Sequence, residues 1–372
     1  MAETITVAQI IETFEQWSPK RLAFDWDKVG LQVGTHDKPV KKVMVTLDVM
    51  ENVVDEAIEK QVDLIIAHHP VIFKPLEKIE TNDPKGRVIK KLLVNDIAVY
   101  AAHTNLDIAE GGVNDALAET LGITSTRPFL ETEKDNLIKL TVFVPEDHEE
   151  TVRQAVHDAG AGHIGDYSHA SFTMPGKGRF MPTNEASPYI GKAGELEIVD
   201  ERRIEVLLPQ SKLERVLHAM KEAHPYEEVA YDIYTLQNAG KPFGVGRIGT
   251  LPKPLRLKDF CEQVKKKLSV PALRVIGNLE DTIETVAILG GSGEKYIQHA
   301  KTQGADVYIT GDLTLHPAQE ALELGINVID PGHHVEKVMK QAVKNYLENS
   351  LSEYNVTEVI VSESNTEPFQ FI

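Results

Sequence analysis

Imidazoles and carboxylates gather at four points of this chain. They are His68-His69 in "DLIIAHHPVIF", His103 and Asp107 in "AAHTNLD", Asp312 in "YITGD", and His333-His334 with Glu336 in "GHHVE". Each follows a short apolar run that reads as a buried strand. Neighbouring side chains on a strand point to opposite faces, so His68 and His69 would diverge if the strand continued. Pro70 cannot donate to a sheet ladder, so the strand is expected to stop there and free both rings to aim at one place. His333 and Glu336 stand three apart and share a face once a helix begins. Imidazole and carboxylate without thiolate suit zinc, manganese or iron(II).

The count of donors fits two ions. If Asp107 and Glu336 each bridge the pair while His68, His69 and His333 supply nitrogens, each ion has three or four protein ligands and an open position, as catalytic sites require. Two divalent ions roughly 3.5–4 Å apart can activate one water and clamp both oxygens of a displacement. Their charge exceeds that of two carboxylates, so a small anionic molecule, nucleotides included, is the expected partner. His103 is the candidate catalytic residue, open to the roles of ligand, partner of a ligand, or proton shuttle. Asp312 reads either as a cap of the following helix or as a group behind the ligands, and His316 as a surface or capping residue. The glycine-rich "ILGGSGEKY" reads as a tight turn or an anion cradle, without the ending of a P-loop or the spacing of a dinucleotide fingerprint. "FDWDKVGLQVG" reads as the wall of a pocket or as simple packing. No Ser-His-Asp or Cys-His arrangement stands out.

Strands that end in such groups need a sheet to carry them. Both ends of the chain alternate short apolar strands with periodic helical stretches, the pattern of an α/β fold with helices on the sheet faces. The two ends look like copies: "VDLIIAHH" (62–69) aligns without a gap to "ADVYITGD" (305–312), and "VMVTLD" (43–48) lies over "VAILGG" (286–291) at the same offset. "DIAVYAAHT" matches "GINVIDPGH" once an indel is allowed. Equivalent strand ends would then face each other across a pseudo-twofold axis. Between them the pattern becomes β-α-β-β-α-β, the order of the ferredoxin-like motif, and "NAGKPFGVGRIG" reads as the exit linker. The expected division is 1–125 and 241–372 as two halves of one metal-binding α/β domain, interrupted by an α+β insert at 126–240.

Composition sets the outer limits. The chain has 372 residues, 42% hydrophobic and 26% charged, with a formal net charge of −18. Such a field repels phosphate backbones, so nucleic acid is disfavoured as a partner, and "VKKKL" (264–268) reads as a solvated helix face. No stretch has the apolar length to span a bilayer, and the first residues read as an amphipathic helix rather than an export signal. Cys261 is the single cysteine, which excludes internal disulfides and thiolate clusters and makes a cytoplasmic location the expectation.

Taken in order, "WDKVGLQVG", "LIIAHHPVIF", "AAHTNLD", "ILGGSGE", "YITGD" and "GHHVE" resemble the motifs of the dinuclear-metal family that includes YqfO and YbgI, catalogued as homologues of a second type of GTP cyclohydrolase I. The insert, with "HPYEEVAYDIY", resembles the longer YqfO-type members, whose middle domain is similar to PII signalling proteins and CutA. The resemblance implies metal ligands at His68, His69, Asp107, His333 and Glu336, two divalent ions with zinc foremost and iron or manganese as alternatives, and a homohexamer. It also implies hydrolase chemistry of the cyclohydrolase kind, in which water opens the imidazole ring of GTP and formate is released. Shorter members often show G-H-x-x-x-E, whereas only two residues separate His333 from Glu336 here; His333, next to Gly332, is preferred over His334. The alternative function is a metal-binding regulatory or ligand-sensing hexamer without turnover.

Overall fold

Thr6 starts the first helix with a reciprocal cap: its hydroxyl accepts the Gln9 N–H at 3.4 Å and the Gln9 side chain accepts the Thr6 N–H at 2.8 Å. The computed structural model describes residues 5–352 and 358–372. The chain forms two compact units, one taking it up to Glu133 and again from Phe243, the other Lys134–Pro242.

The first half runs α1 (Val7–Trp17), β1 (Gly30–Val33), β2 (Lys42–Thr46), α2 (Glu51–Glu59), β3 (Leu64–Ala67), α3 (Pro84–Val94), β4 (Ala98–Ala101), the short α4 (Thr104–Ile108), α5 (Val113–Leu121) and β5 (Thr124–Asp135). The middle unit holds β6 (Leu137–Pro145), α6 (Glu149–Asp158), β7 (Ser171–Phe180), β8 (Glu197–Pro209), α7 (Leu213–Ala223) and β9 (Tyr231–Thr235). The second half runs β10 (Lys241–Arg256), α8 (Leu257–Leu268), β11 (Arg274–Ile276), β12 (Thr282–Ser292), α9 (Ile297–Thr302), β13 (Val307–Gly311), α10 (Leu315–Leu324), β14 (Asn327–Asp330), α11 (Met339–Ser350) and β15 (Glu358–Val361).

The two large sheets share a plan. One is ordered β1-β4-β3-β2-β15 and the other β11-β14-β13-β12-β10-β5. In each, a run of three parallel strands, β4-β3-β2 and β14-β13-β12, is closed by an antiparallel edge strand, β1 on β4 and β11 on β14, and β15 adds a fourth parallel strand beside β2. Register repeats as well: Val43, Met44 and Val45 stand opposite Leu64, Ile65 and Ile66, and Val286, Ala287 and Ile288 opposite Val307, Tyr308 and Ile309, every residue 243 positions on. Alternation along each strand divides the apolar side chains between two faces. Val43, Val45, Leu64 and Ile66 share one core with Val286, Ile288, Val307 and Ile309, filled by Phe14, Leu117, Phe260 and Val343 from α1, α5, α8 and α11. On the outer faces, Met44, Ile65 and Val99 pack with Val53 of α2 and Leu92 of α3, and Tyr308 and Val328 with Ala300 of α9 and Ala321 of α10. Both faces are covered, as parallel strands need.

The middle unit is a four-stranded antiparallel sheet ordered β7-β8-β6-β9, the ferredoxin-like arrangement, with α6 and α7 on one face. The position expected to open the insert, residue 126, falls inside β5. The expected linker "NAGKPFGVGRIG" is largely a strand instead: β10 pairs with β12 and lies beside β5. Its glycines serve close approach, since a Cβ at Gly249 would come within 2.5 Å of the Thr124 carbonyl. Among the described residues no helix is long and apolar enough to cross a membrane.

Arg247 on β10 ties the halves together. Its Nε and Nη2 donate to the two Asp115 oxygens at 2.6 Å each, and its other N–H groups go to the carbonyls of Gly244, Gly246, Ile108 and Ala109. Removing one partner of a buried pair costs about 3–5 kcal/mol; because Asp115 keeps the Gly111 N–H, Arg247→Met is expected at the lower end, about 3 kcal/mol, by denaturant unfolding. Glu56 of α2 holds the segment after β15, accepting the N–H groups of Glu363 and Ser364, the Ser362 hydroxyl and Lys60. Burial opposes its charge, but these donors outweigh burial and lower its pKa to about 2. Its stabilising contribution is therefore present above pH 4.5 and lost as pH falls toward 2; Glu56→Gln should flatten the stability profile across that window.

Candidate metal centre

β3 ends at Ala67, but the ladder continues two residues: the His68 and His69 N–H groups donate to the carbonyls of Thr46 and Leu47 at 3.1 and 2.8 Å. Pro70 then ends it. The rings of His68 and His69 lie 5.0 Å apart, and His69 and His333 lie 5.1 Å apart. His103 precedes α4, whose first turn carries Asp107. His333–Val338 is a 3-10 turn, in which residues i and i+3 stack. That explains how two intervening residues bring His333 and Glu336 to one place.

Each of three rings is gripped at Nδ1. His68 Nδ1 donates to the Ala102 carbonyl at 2.8 Å, His69 Nδ1 to Asp48 at 2.7 Å, and His333 Nδ1 to Asp312 at 2.7 Å. A carbonyl can only accept, so the neutral His68 ring keeps its lone pair on Nε2. The three Nε2 atoms converge on Glu336 Oε2, at 3.1 Å from His69, 3.1 Å from His333 and 3.7 Å from His68; Asp107 Oδ1 lies 3.7 Å from His68 Nε2. Three groups of donors lie within 4.8 Å of one another: His69-His333-Glu336, His68-Asp107-Glu336 and His68-His69-His103. Thus the five expected ligands and His103 come together, with Glu336 in two groups and Asp107 in one.

His334 does not join them; its Nε2 meets the Thr366 hydroxyl at 3.1 Å. Asp312 is not the helix cap: Thr314 occupies that position of α10, and Asp312 holds the His333 ring. His316 is exposed. The glycine turn makes room rather than cradling an anion through Gly290 and Gly293, whose N–H groups go to Asn114 and Thr310. A Cβ at Gly291 would stand 2.8 Å from Glu336 Oε1 and 3.3 Å from His333 Nε2. "FDWDKVGLQVG" supplies both packing and a wall. Buried Asp27 accepts the Thr104 N–H and hydroxyl and lies 3.1 Å from His103 Nδ1, while Trp26 lines the cleft.

Sequence reasoning missed Asp48, Asn114 and Lys295. Asn114 joins the Asp107 carbonyl to the Gly290 N–H, itself 176 positions from Asn114, a link that no local pattern announces. Lys295 lies within a motif whose signal is its glycines.

The donors fit divalent metal. Among the described residues His68 Nε2 and Asp107 Oδ1 are buried without a hydrogen-bond partner, an arrangement that needs an explanation in a folded protein. Two ligands on one tetrahedral zinc at ~2.0–2.1 Å stand about 3.3 Å apart, close to the 3.1 Å separations around Glu336. Without metal the cluster is held by opposed charges. Burial and the neighbouring Glu336 push Asp107 up to about 6 against the pull of His68. Burial pushes Glu336 the same way, but the three imidazoles outweigh it and hold its carboxyl well below the usual range. Against burial, the carboxylates raise His69 to about 10 and His333 to about 9. Carboxylates behind ligating imidazoles typically matter 10–100-fold for affinity, so Asp48→Asn should weaken zinc about tenfold and Glu336→Gln more, whereas His334→Ala should stay within about twofold, as read by chelator competition.

A family model described as Duf34/NIF3 (NGG1p interacting factor 3) matches residues 5–368. A Bacillus subtilis (strain 168) protein named GTP cyclohydrolase 1 type 2 homolog is 53% identical, with 100% of each chain covered. The crystal structure of a Bacillus cereus protein related to NIF3 superposes with a TM-score of 0.94 at 48% identity, and that of a Staphylococcus aureus protein with 0.77 at 32%, each over 100% of both chains. The strand-end histidines, the glycine turn and the paired carboxylates are therefore those of a chain that belongs to the Duf34/NIF3 family.

Proposed function

We propose that the chain is a hydrolase that uses two divalent cations, zinc foremost and iron or manganese as alternatives, on a small anionic substrate of the nucleotide kind. The observation that carries this reading is the convergence of three restrained imidazoles and two buried carboxylates, four of which, His69, His333, Asp107 and Glu336, line a cleft of about 440 Å³. His68, His69, Asp107, His333 and Glu336 would hold the cations. Bound there, divalent cations would supply Lewis acidity and lower the pKa of a water.

The chain's own residues supply recognition. Trp26 and Phe73, 57% and 54% exposed, stand 6.2 Å apart on the cleft wall and offer apolar rings to a heterocycle. Lys295 lines the same cleft; its ammonium lies 4.9 Å from the Tyr296 ring, and no carboxylate of the described residues pairs with it. It is placed to meet an anionic group. His103, with Nδ1 beside Asp27 and its ring 6.1 Å from Trp26, can hold a proton at the cleft edge. The name carried by the relatives puts GTP first among substrates to test, with formate as the product to detect.

The test is steady turnover by zinc- or manganese-loaded protein on GTP and a panel of nucleotides and phosphoesters. Asp107→Asn should abolish it. Lys295→Ala should raise KM about tenfold with a smaller change in kcat, the loss of one charge-assisted contact. No turnover on any member of the panel by fully loaded protein would overturn the hydrolase and favour the metal-binding regulatory reading. The homohexamer implied by resemblance belongs to the same proposal and is read by sedimentation.

A further inference from the structure

The stretch "HPYEEVAYDIY" (224–234) takes no part in the metal centre, yet it builds a second cavity, of about 410 Å³, within the unit Lys134–Pro242. Buried His224 fixes the turn: Nε2 donates to the Phe143 carbonyl at 2.9 Å, and Nδ1 accepts the Tyr226 N–H at 3.1 Å. The Tyr226 ring thereby stands 5.8 Å from Phe180 and 6.3 Å from Tyr189. Phe143 completes an aromatic lining. Glu227 accepts the Ser187 N–H at 2.9 Å, which ties the loop carrying Tyr189 to the motif.

The charge of the lining is one-sided. Among the described residues Glu201, Glu227 and Glu228 line the cavity with a single cation, Arg179. Glu201 reaches inward over Gly178, where a Cβ would collide with its carboxylate, and accepts the Tyr226 hydroxyl at 3.3 Å. No cationic nitrogen of the described residues forms an ion pair with it, and burial pushes its carboxyl up. An anion would meet three carboxylates, and a neutral apolar ligand would leave Glu201 uncompensated. Aromatic rings attract a soft, weakly hydrated cation, and a carboxylate among them adds a countercharge; hard metal ions prefer cages of oxygen ligands.

We infer that this cavity binds a small organic cation, an alkylammonium group seated among Phe143, Phe180, Tyr189 and Tyr226 and paired with Glu201. The site is separate from the metal centre and does not rest on the hydrolase reading.

The test titrates choline into the metal-loaded full chain, followed by calorimetry and by saturation transfer to its N-methyl protons. The neutral isostere 3,3-dimethylbutan-1-ol is the control. Choline should saturate one site per chain and bind about tenfold more tightly than the isostere. Glu201→Gln and Tyr189→Ala should each weaken choline about tenfold, while amide-exchange protection across Lys134–Pro242 equal to that of the unaltered protein shows that this unit of the variants is folded. Absence of saturable choline binding, equal binding of the isostere, or unchanged affinity in Glu201→Gln in such folded protein would each overturn the inference.

Discussion

A carboxylate taken out of water survives only where its charge is answered, and the answer to Glu336 organises the larger unit. Its Oε2 stands within 3.7 Å of three imidazole nitrogens. His68 and His69 leave the end of β3 in one sheet, whereas His333 and Glu336 itself follow β14 in the other. The cluster therefore exists only while the two sheets share a core, and that core is what Val43, Val45, Leu64 and Ile66 build with Val286, Ile288, Val307 and Ile309. Arg247 and Asn114 add polar ties between the halves, both against the segment that bears Asp107. The absent side chains at Gly290 and Gly291 complete the arrangement, because any Cβ there would press on Glu336.

Much of this was legible in the sequence because it is written in period and punctuation. Alternating strands and helices, a proline after two histidines, and a gap-free copy at a constant offset are local signals. The copy reappears as the same order and register of four strands in each sheet, β1-β4-β3-β2 and β11-β14-β13-β12. The same offset that lays His69 over Asp312 pairs a residue at the cluster with one that stands behind it, so the halves are alike in backbone and different in chemistry. What escaped were contacts between side chains remote in sequence. Asp48 follows β2 with no motif around it, and its use depends on where the His69 ring comes to lie. The glycine-rich return from the insert misled for a physical reason: glycine signals a turn when solvated, but between two paired strands it signals close backbone approach.

The three imidazoles are alike in type and unlike in backing, which makes the donor groups unequal. His68 is held by a backbone carbonyl, a neutral acceptor, and sits wholly buried beside Asp107. His69 and His333 are held by the carboxylates of Asp48 and Asp312, which make an imidazole a stronger donor at its other nitrogen. The group His69-His333-Glu336 is thus the more basic and the more open, and His68-Asp107-Glu336 the deeper. The backing of His69 reaches further still. Thr366 donates to Asp48 at 2.6 Å and meets His334 at 3.1 Å. The segment that carries Thr366 is itself fastened to α2 through Glu56 and Asn52. Orientation of one ring at the centre consequently depends on a chain segment almost three hundred residues away, whereas His334, adjacent to the ring that faces the cluster, turns from it to the Thr366 hydroxyl.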